Sequence, residues 1–148
     1  MVSASFSIGL IYGAILNSSS IPSYIYFFFL SSFFFLLSRE LIKGCEDIEG
    51  DKEQGVKTLA IQIGIKKATY ASMISAILAI TFFVLPIFTP IINPIFFLFS
   101  MLLGIVFVIY AIILMLKKNL ERSDFKRISL SLKIGAFLGL ISYILASI

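Results

Sequence analysis

The sequence predicts an all-α bundle of transmembrane helices in a single domain covering residues 1–148, and two observations carry that prediction. Hydrophobic residues make up 59% of the 148 residues and charged residues only 14%, whereas a soluble domain carries about 25% charged residues. Every charged side chain also lies in one of two segments, residues 39–67 and 117–133. Because a charge in hydrocarbon costs about 3 kcal/mol, the long uncharged runs outside these segments are typical of membrane spans and exclude a soluble domain.

The first two predicted spans, residues 2–16 and 23–38, flank a serine-rich turn that ends in Pro22. A helix needs about 20 apolar residues to cross a hydrocarbon core about 30 Å thick, so both runs are a little short. The first run lacks the basic n-region and the cleavage site of a secretory signal, which favours a span. The second run is dense in phenylalanine and stops at Arg39.

Proline and charge set the limits of the other three predicted spans. Residues 68–85 end at Pro86, and residues 95–116 follow a proline-containing turn and stop at the second charged segment. The fifth span, residues 128–148, includes Lys133, whose long side chain can reach the headgroups from within a helix. The sequence therefore predicts five spans.

Positive charge alternates between the connections. The turns at residues 17–22 and 86–94 contain no charged residue, whereas the charged segments 39–67 and 117–133 each hold six Lys and Arg residues. Cytoplasmic loops of membrane proteins collect Lys and Arg. We therefore predict a multi-pass protein of the plasma membrane with both charged segments in the cytoplasm, where basic residues meet lipid headgroups rather than nucleic acid.

Two spans contain a pair of glycines four residues apart. Gly9 and Gly13 lie in the first span, and Gly135 and Gly139 lie in the fifth. Small residues at this spacing let helix backbones approach closely in lipid, so both pairs predict tight packing within one bundle.

The first charged segment contains the carboxylate pair best suited to a metal. With no histidine and a single cysteine in the chain, carboxylates and hydroxyls must carry any chemistry. Asp47 and Asp51 are four residues apart, so on a helical turn both project from one face. Mg²⁺ takes one or two carboxylates, keeps several waters and is completed by substrate phosphates. Lys43, Lys52 and Lys57 surround the pair and are predicted to contact a diphosphate. A solvated connector without chemistry is the alternative.

The residues of this segment resemble a known motif. Glu46-Asp-Ile-Glu-Gly-Asp51, followed by Lys52, by Gly55-Val-Lys-Thr-Leu59 and by Gly64, is similar to the second aspartate-rich motif of the UbiA-type intramembrane prenyltransferases. That family folds as nine transmembrane helices with two aspartate-rich cytoplasmic loops, the second between helices six and seven. The resemblance implies that the five spans match helices five to nine.

The resemblance also implies a chemistry. Arg39-Glu40 and Lys43 are most similar to the archaeal branch that makes digeranylgeranylglyceryl phosphate. By resemblance, Asp47 and Asp51 bind Mg²⁺ for the diphosphate of an allylic prenyl donor, with Lys43 and Lys57 as phosphate contacts. The metal and the lysines stabilise the departing diphosphate. The hydroxyl of geranylgeranylglyceryl phosphate, the lipid acceptor of this branch, then attacks.

The chain departs from the family pattern in ways that bear on activity. The first aspartate-rich motif is absent, because the only further aspartate is Asp124, which lies among basic residues and is expected to cap or pair locally. Gly44, Cys45 and Ala60 stand where the family commonly has an acid, an aliphatic residue and proline. A diphosphate clamped by two cations needs carboxylates on both sides. We therefore predict the C-terminal half of a prenyltransferase, which needs a separate N-terminal half for activity.

Other functions remain open at this point. Other UbiA branches prenylate aromatic or quinone acceptors on the same scaffold, and a catalytically inactive membrane fragment would keep the spans without turnover. A small transporter is disfavoured, because that class places ionisable groups near the midplane of its spans.

Overall fold

The computed structural model describes residues 2–17, 21–89 and 94–147, and it is helical throughout that part of the chain apart from short turns. The predicted turns at 17–22 and 86–94 lie partly outside the described residues. The described elements are α1 (Val2–Asn17), α2 (Ser23–Glu46), α3 (Ile48–Glu53), α4 (Leu59–Ile63), α5 (Ile65–Val84), a 3₁₀ helix (Leu85–Phe88), α6 (Pro94–Met115) and α7 (Arg122–Ser147). The predicted all-α class is confirmed.

Three of the described helices are long and apolar enough to cross a membrane. They are α2, α5 with the 3₁₀ helix that follows it, and α6, with mean hydropathies of 1.6, 2.3 and 2.8. Helix α1 is apolar but shorter. The chain is therefore an integral membrane protein, while the count of five spans and the cytoplasmic side of the charged segments stay predictions.

The first charged segment is largely helical. Helix α2 continues beyond the predicted end of its span at Ser38 and stops only at Glu46, and α3 and α4 occupy much of the remainder. The extension has two causes. Ile42 and Cys45 are buried one turn apart on the side that faces the bundle, and Lys43 pairs with Glu46 at the i,i+3 spacing that supports a helix.

Serine hydroxyls join α2 to α5. The hydroxyls of Ser38 and Ser72 lie 2.9 Å apart and both are buried. Nearer the other end of the pair, the Ser31 hydroxyl donates to the Ala79 carbonyl oxygen at 3.0 Å. Small buried residues such as Ala76 and Ala79 line α5, and Phe82 of α5 stacks on Phe34 of α2 with ring centroids 5.8 Å apart. Small side chains and interhelical hydrogen bonds are the means by which helices associate in lipid, where apolar burial gives no advantage.

The glycines of α7 pack closely against α6. A Cβ added at Gly135 would lie 2.9 Å from Val108 Cγ2 and 3.4 Å from the Gly104 carbonyl oxygen. At Gly9 and Gly13 of α1, in contrast, a Cβ would have no neighbour within 4 Å among the described residues. The close approach predicted from glycine spacing is thus present at Gly135 of α7, whereas the part of the chain that the structure describes shows no such contact at Gly9 or Gly13.

Asp124 stabilises the turn in the second charged segment. Its Oδ2 accepts hydrogen bonds from the Glu121 backbone N–H at 3.0 Å and from Lys117 Nζ at 2.7 Å. These bonds, the backbone bond first, hold the pKa of Asp124 below its usual value. The expected local capping and pairing of Asp124 is confirmed, and the contacts fix the turn between α6 and α7.

We predict that Gly135→Ala lowers the stability of the bundle, whereas Gly9→Ala does not. Alanine gains about 1 kcal/mol over glycine in helix propensity at either site. At Gly135 the added methyl collides with the stiff Val108 side chain, and overpacking costs about 1–3 kcal/mol. Thermal unfolding in detergent measures both variants. A melting temperature that rises equally in the two variants would contradict the close packing of α6 on α7.

Candidate functional site

A cavity of about 490 Å³ lies where α2 leaves its apolar part. Its walls come from the last turns of α2, from α3 and from the start of α4. The cavity is lined by Leu37, Glu40, Leu41, Lys43, Gly44, Asp47, Asp51, Thr58, Leu59 and Ala60. It therefore combines three acidic side chains and one lysine with three leucines.

The two aspartates of the sequence motif reach this cavity together. Asp47 is the residue between α2 and α3, and its backbone N–H donates to the Lys43 carbonyl oxygen at 3.0 Å. The Asp51 N–H in turn donates to the Asp47 carbonyl oxygen at 2.9 Å. Both bonds join residues four apart, as in a helical turn, and Asp47 and Asp51 both line the cavity. The spacing of the motif had predicted that the two side chains share a face.

Lys43 already holds a charge partner in the cavity. Its Nζ lies 3.1 Å from Asp47 Oδ2 and 3.3 Å from Glu46 Oε1. Half of the Lys43 side chain is exposed. The hydrogen bond to Asp47 raises the pKa of Lys43 above its usual value, and Glu46 adds to this. The ammonium therefore stays protonated beside the aspartates at neutral pH.

The other two lysines of the motif lie outside the cavity. Lys52 follows Asp51 directly and so points away from it, lining a second cavity of about 470 Å³ together with Lys66 and Lys67. Ala60 of α4 lines both cavities and separates them. Lys57 is exposed on the turn before α4. Of the three lysines named from the sequence, the structure brings only Lys43 to the carboxylate pair.

Sequence reasoning missed Glu40, which lines the cavity on the same face of α2 as Asp47. The signal was available, because residues seven apart on a helix share a face. Glu40 Oε1 accepts a hydrogen bond of 2.7 Å from the Ser3 backbone N–H. The carboxylate thus satisfies one of the N–H groups that the first turn of a helix leaves without a helical partner, and it joins the start of α1 to the wall of the cavity.

Thr58, also missed, orients the wall formed by α4. Its Oγ1 accepts from the Ile61 N–H at 3.4 Å, as an N-cap residue does. The chain reaches Thr58 through a tight turn in which Gly55 has φ +69° and the Val56 N–H donates to the Asp51 carbonyl oxygen at 2.9 Å. Glycine is needed there, since other residues adopt positive φ only with strain.

The carboxylates of the cavity fit a hard divalent cation that brings its own further ligands. Among the described residues, no group of three or more Asp, Glu, Cys or His side chains is arranged to hold a metal ion. Asp47 and Asp51 line the cavity together and offer two candidate donors. This is the number that Mg²⁺ commonly takes from a protein when waters and substrate phosphates complete its octahedral shell.

A separate apolar cavity of about 180 Å³ lies deeper, between α2, α5, α6 and α7. It is lined mainly by aliphatic, aromatic and glycine residues, including Phe35, Leu36, Phe83 and Gly104. Leu36 lies one helical turn before Glu40, so the apolar cavity and the carboxylate cavity are lined from the same face of α2 at neighbouring turns.

Comparison with known proteins gives consistent matches. The model of the UbiA prenyltransferase family matches residues 1–141. The chain is 36% identical over 119 residues to the digeranylgeranylglyceryl phosphate synthase of Thermococcus kodakarensis, covering 80% of this chain and 42% of that protein. It is 28% identical over 145 residues to the protein of the same name from Korarchaeum cryptofilum, covering 98% and 51%. The match to that of Sulfurisphaera tokodaii is 39% over 97 residues, covering 62% and 32%.

These matches are partial in length and are to sequences only. The chain spans about half or less of the length of these curated relatives. No solved structure matches it.

We predict that Glu40→Ala loosens the start of α1. The substitution removes the carboxylate that accepts from the Ser3 N–H, and a hydrogen bond to a charged group contributes about 1.5–3 kcal/mol. Hydrogen exchange of the first-turn amides of α1 should therefore accelerate by about tenfold or more. Glu49→Ala, which removes an exposed carboxylate from α3, is the matched control. Equal exchange in the two variants would show that Glu40 does not anchor α1.

Proposed function

The chain belongs to the UbiA prenyltransferase family, and on that premise we propose that it forms one wall of the active site of a magnesium-dependent prenyltransferase. The proposed reaction transfers a geranylgeranyl group from its diphosphate to geranylgeranylglyceryl phosphate. The observation that carries the proposal is the meeting of Asp47, Asp51 and Lys43 in one cavity at the end of an apolar helix. The names of the similar archaeal proteins support the choice of acceptor.

In the proposed site, Asp47 and Asp51 would hold Mg²⁺. When bound, the metal would supply positive charge that stabilises the departing diphosphate. Lys43 adds a mobile point charge from the same wall, since an ammonium on a flexible stem adapts to phosphate oxygens without fixed geometry. These groups favour breaking of the allylic C–O bond, because they stabilise charge that develops on the leaving group.

The apolar residues of the cavity have a different task. Leu37, Leu41 and Leu59 line it beside the carboxylates, where the allylic end of the prenyl chain would lie against them. Their side chains keep water away from the electron-poor carbon, so that the acceptor hydroxyl forms the new C–O bond instead of water. The proton of that hydroxyl is released as the bond forms.

The wall described here needs a complement. A diphosphate carries two to three negative charges. The aspartates neutralise most of the positive charge of one Mg²⁺ ion and Lys43, so the charge that remains is too small to balance the diphosphate. We propose that a separate N-terminal half, carrying the first aspartate-rich motif, supplies carboxylates for further metal on the open side of the cavity. Lys52 and Lys57 are assigned a weaker part, because both lie outside the cavity. They would contact phosphate only if the complementary half redirects them.

We predict that the chain, combined with a polypeptide that carries the first aspartate-rich motif, transfers geranylgeranyl groups in the presence of Mg²⁺. Asp47→Asn and Asp51→Asn should each lower the rate by about 100-fold or more, the scale of losing one charge-stabilising group. The assay follows radiolabelled geranylgeranyl diphosphate into lipid extracts. Glu49→Gln, which removes an exposed carboxylate of α3, should leave the rate unchanged.

The choice of acceptor decides between branches of the family. Product from geranylgeranylglyceryl phosphate supports the proposal, whereas product from an aromatic or quinone acceptor alone would assign another branch. Full activity of the aspartate variants, or no turnover with any acceptor in the presence of both halves, would contradict it.

A further inference from the structure

We propose that Lys43 couples metal binding to diphosphate binding, by leaving Asp47 when a diphosphate draws its ammonium away. This inference rests on the proposed function and deepens it. In that account Lys43 is more than a phosphate contact. It is an internal counter-ion of Asp47 that the substrate removes, so that metal alone binds less well than metal with a prenyl diphosphate.

The geometry supports an exchange of partners. Lys43 Nζ lies 3.1 Å from Asp47 and 3.3 Å from Glu46. Asp47 lines the cavity, whereas Glu46 does not and is only 13% exposed. One partner of the ammonium therefore belongs to the metal site and the other lies beside it. Lys43 can give up Asp47 while keeping a carboxylate at Glu46.

The side chain is free to make that movement. Half of Lys43 is exposed, and it lines the cavity beside the apolar residues of α2 and α4. An exposed ion pair contributes little net stability, because both charges are well solvated and the long side chain loses rotamer freedom. Its release by a competing anion therefore costs little, and the ammonium can follow the phosphate without a change in the backbone.

The consequence is a pair of opposite effects. A divalent cation approaching Asp47 meets the ammonium at the same carboxylate, so the two cations compete. A diphosphate attracts the ammonium and relieves that competition. By linkage, the factor by which diphosphate improves metal binding equals the factor by which metal improves diphosphate binding. Removal of the Lys43 charge should strengthen the binding of the metal ion alone and weaken the binding of the diphosphate.

The test measures two dissociation constants on the full chain in lipid nanodiscs. The first is for Mn²⁺ alone, read by electron paramagnetic resonance. The second is for geranylgeranyl thiolodiphosphate at saturating Mn²⁺, read by calorimetry. Neither requires turnover. The variants are Lys43→Gln, Lys43→Arg, Asp47→Asn and Lys118→Gln, the last removing an exposed lysine from the α6–α7 turn with the same change in net charge.

We expect Lys43→Gln to bind Mn²⁺ alone about two- to fivefold more tightly, the scale of an exposed ion pair. It should bind the thiolodiphosphate at saturating Mn²⁺ about tenfold more weakly, the scale of a charge-assisted bond. Lys43→Arg, which keeps the charge, should resemble the unmodified chain in both constants, as should Lys118→Gln. A misfolded variant would bind both ligands more weakly. Tighter Mn²⁺ binding together with weaker thiolodiphosphate binding therefore identifies the exchange.

The outcomes separate this inference from the function on which it rests. If Mn²⁺ binding depends on Asp47 but Lys43→Gln leaves it unchanged or weakens it, the exchange is overturned and the metal site stands. If Mn²⁺ binds the unmodified chain and the Asp47→Asn variant equally, or binds neither, the metal site fails and the exchange fails with it.

Discussion

The site depends on how the last turns of α2 are attached to the rest of the bundle. Ser38, Ile42 and Cys45 form the buried face of these turns, and Ile42 and Cys45 belong to a core cluster that also includes Met115 and Phe125 from the α6–α7 pair. Because a helix fixed on one face has its opposite face fixed as well, this packing sets where the acidic residues point. Glu40 within α2 and Asp47 at its end are therefore positioned by contacts on the opposite face of that helix.

The same arrangement explains why charge accumulates on one wall without disrupting the fold. The acidic residues of the cavity lie beyond the apolar part of α2, where water and headgroups can solvate them. Lys43 offsets Asp47 and Glu46, and Glu40 is engaged at the start of α1. The acidic residues of the wall therefore hold partners within the chain.

Much of this could be predicted from the sequence, because in a membrane charge and periodicity are strong signals. The uncharged runs located the long helices, the four-residue spacing placed Asp47 and Asp51 on one face, and the motif indicated the family. What failed was local. The sequence predicted a loop after Ser38 because the residues there are charged. Helix α2 instead continues to Glu46, because Ile42 and Cys45 are buried against helices far along the chain. Lys52 follows Asp51 directly on α3, so its direction away from the aspartates could have been predicted from spacing, whereas the exposed position of Lys57 depends on the turn after α3.

The central claim is that Asp47 and Asp51 jointly bind the metal of a prenyl diphosphate. The most direct measurement is an anomalous difference map from crystals of the chain grown in lipid with Mn²⁺ and geranylgeranyl thiolodiphosphate. The account predicts an anomalous peak within about 2.2 Å of carboxylate oxygens of both aspartates, with diphosphate oxygens on the metal. A metal bound elsewhere, or a diphosphate held in the cavity of Lys52, Lys66 and Lys67 with no metal at the aspartates, would contradict it.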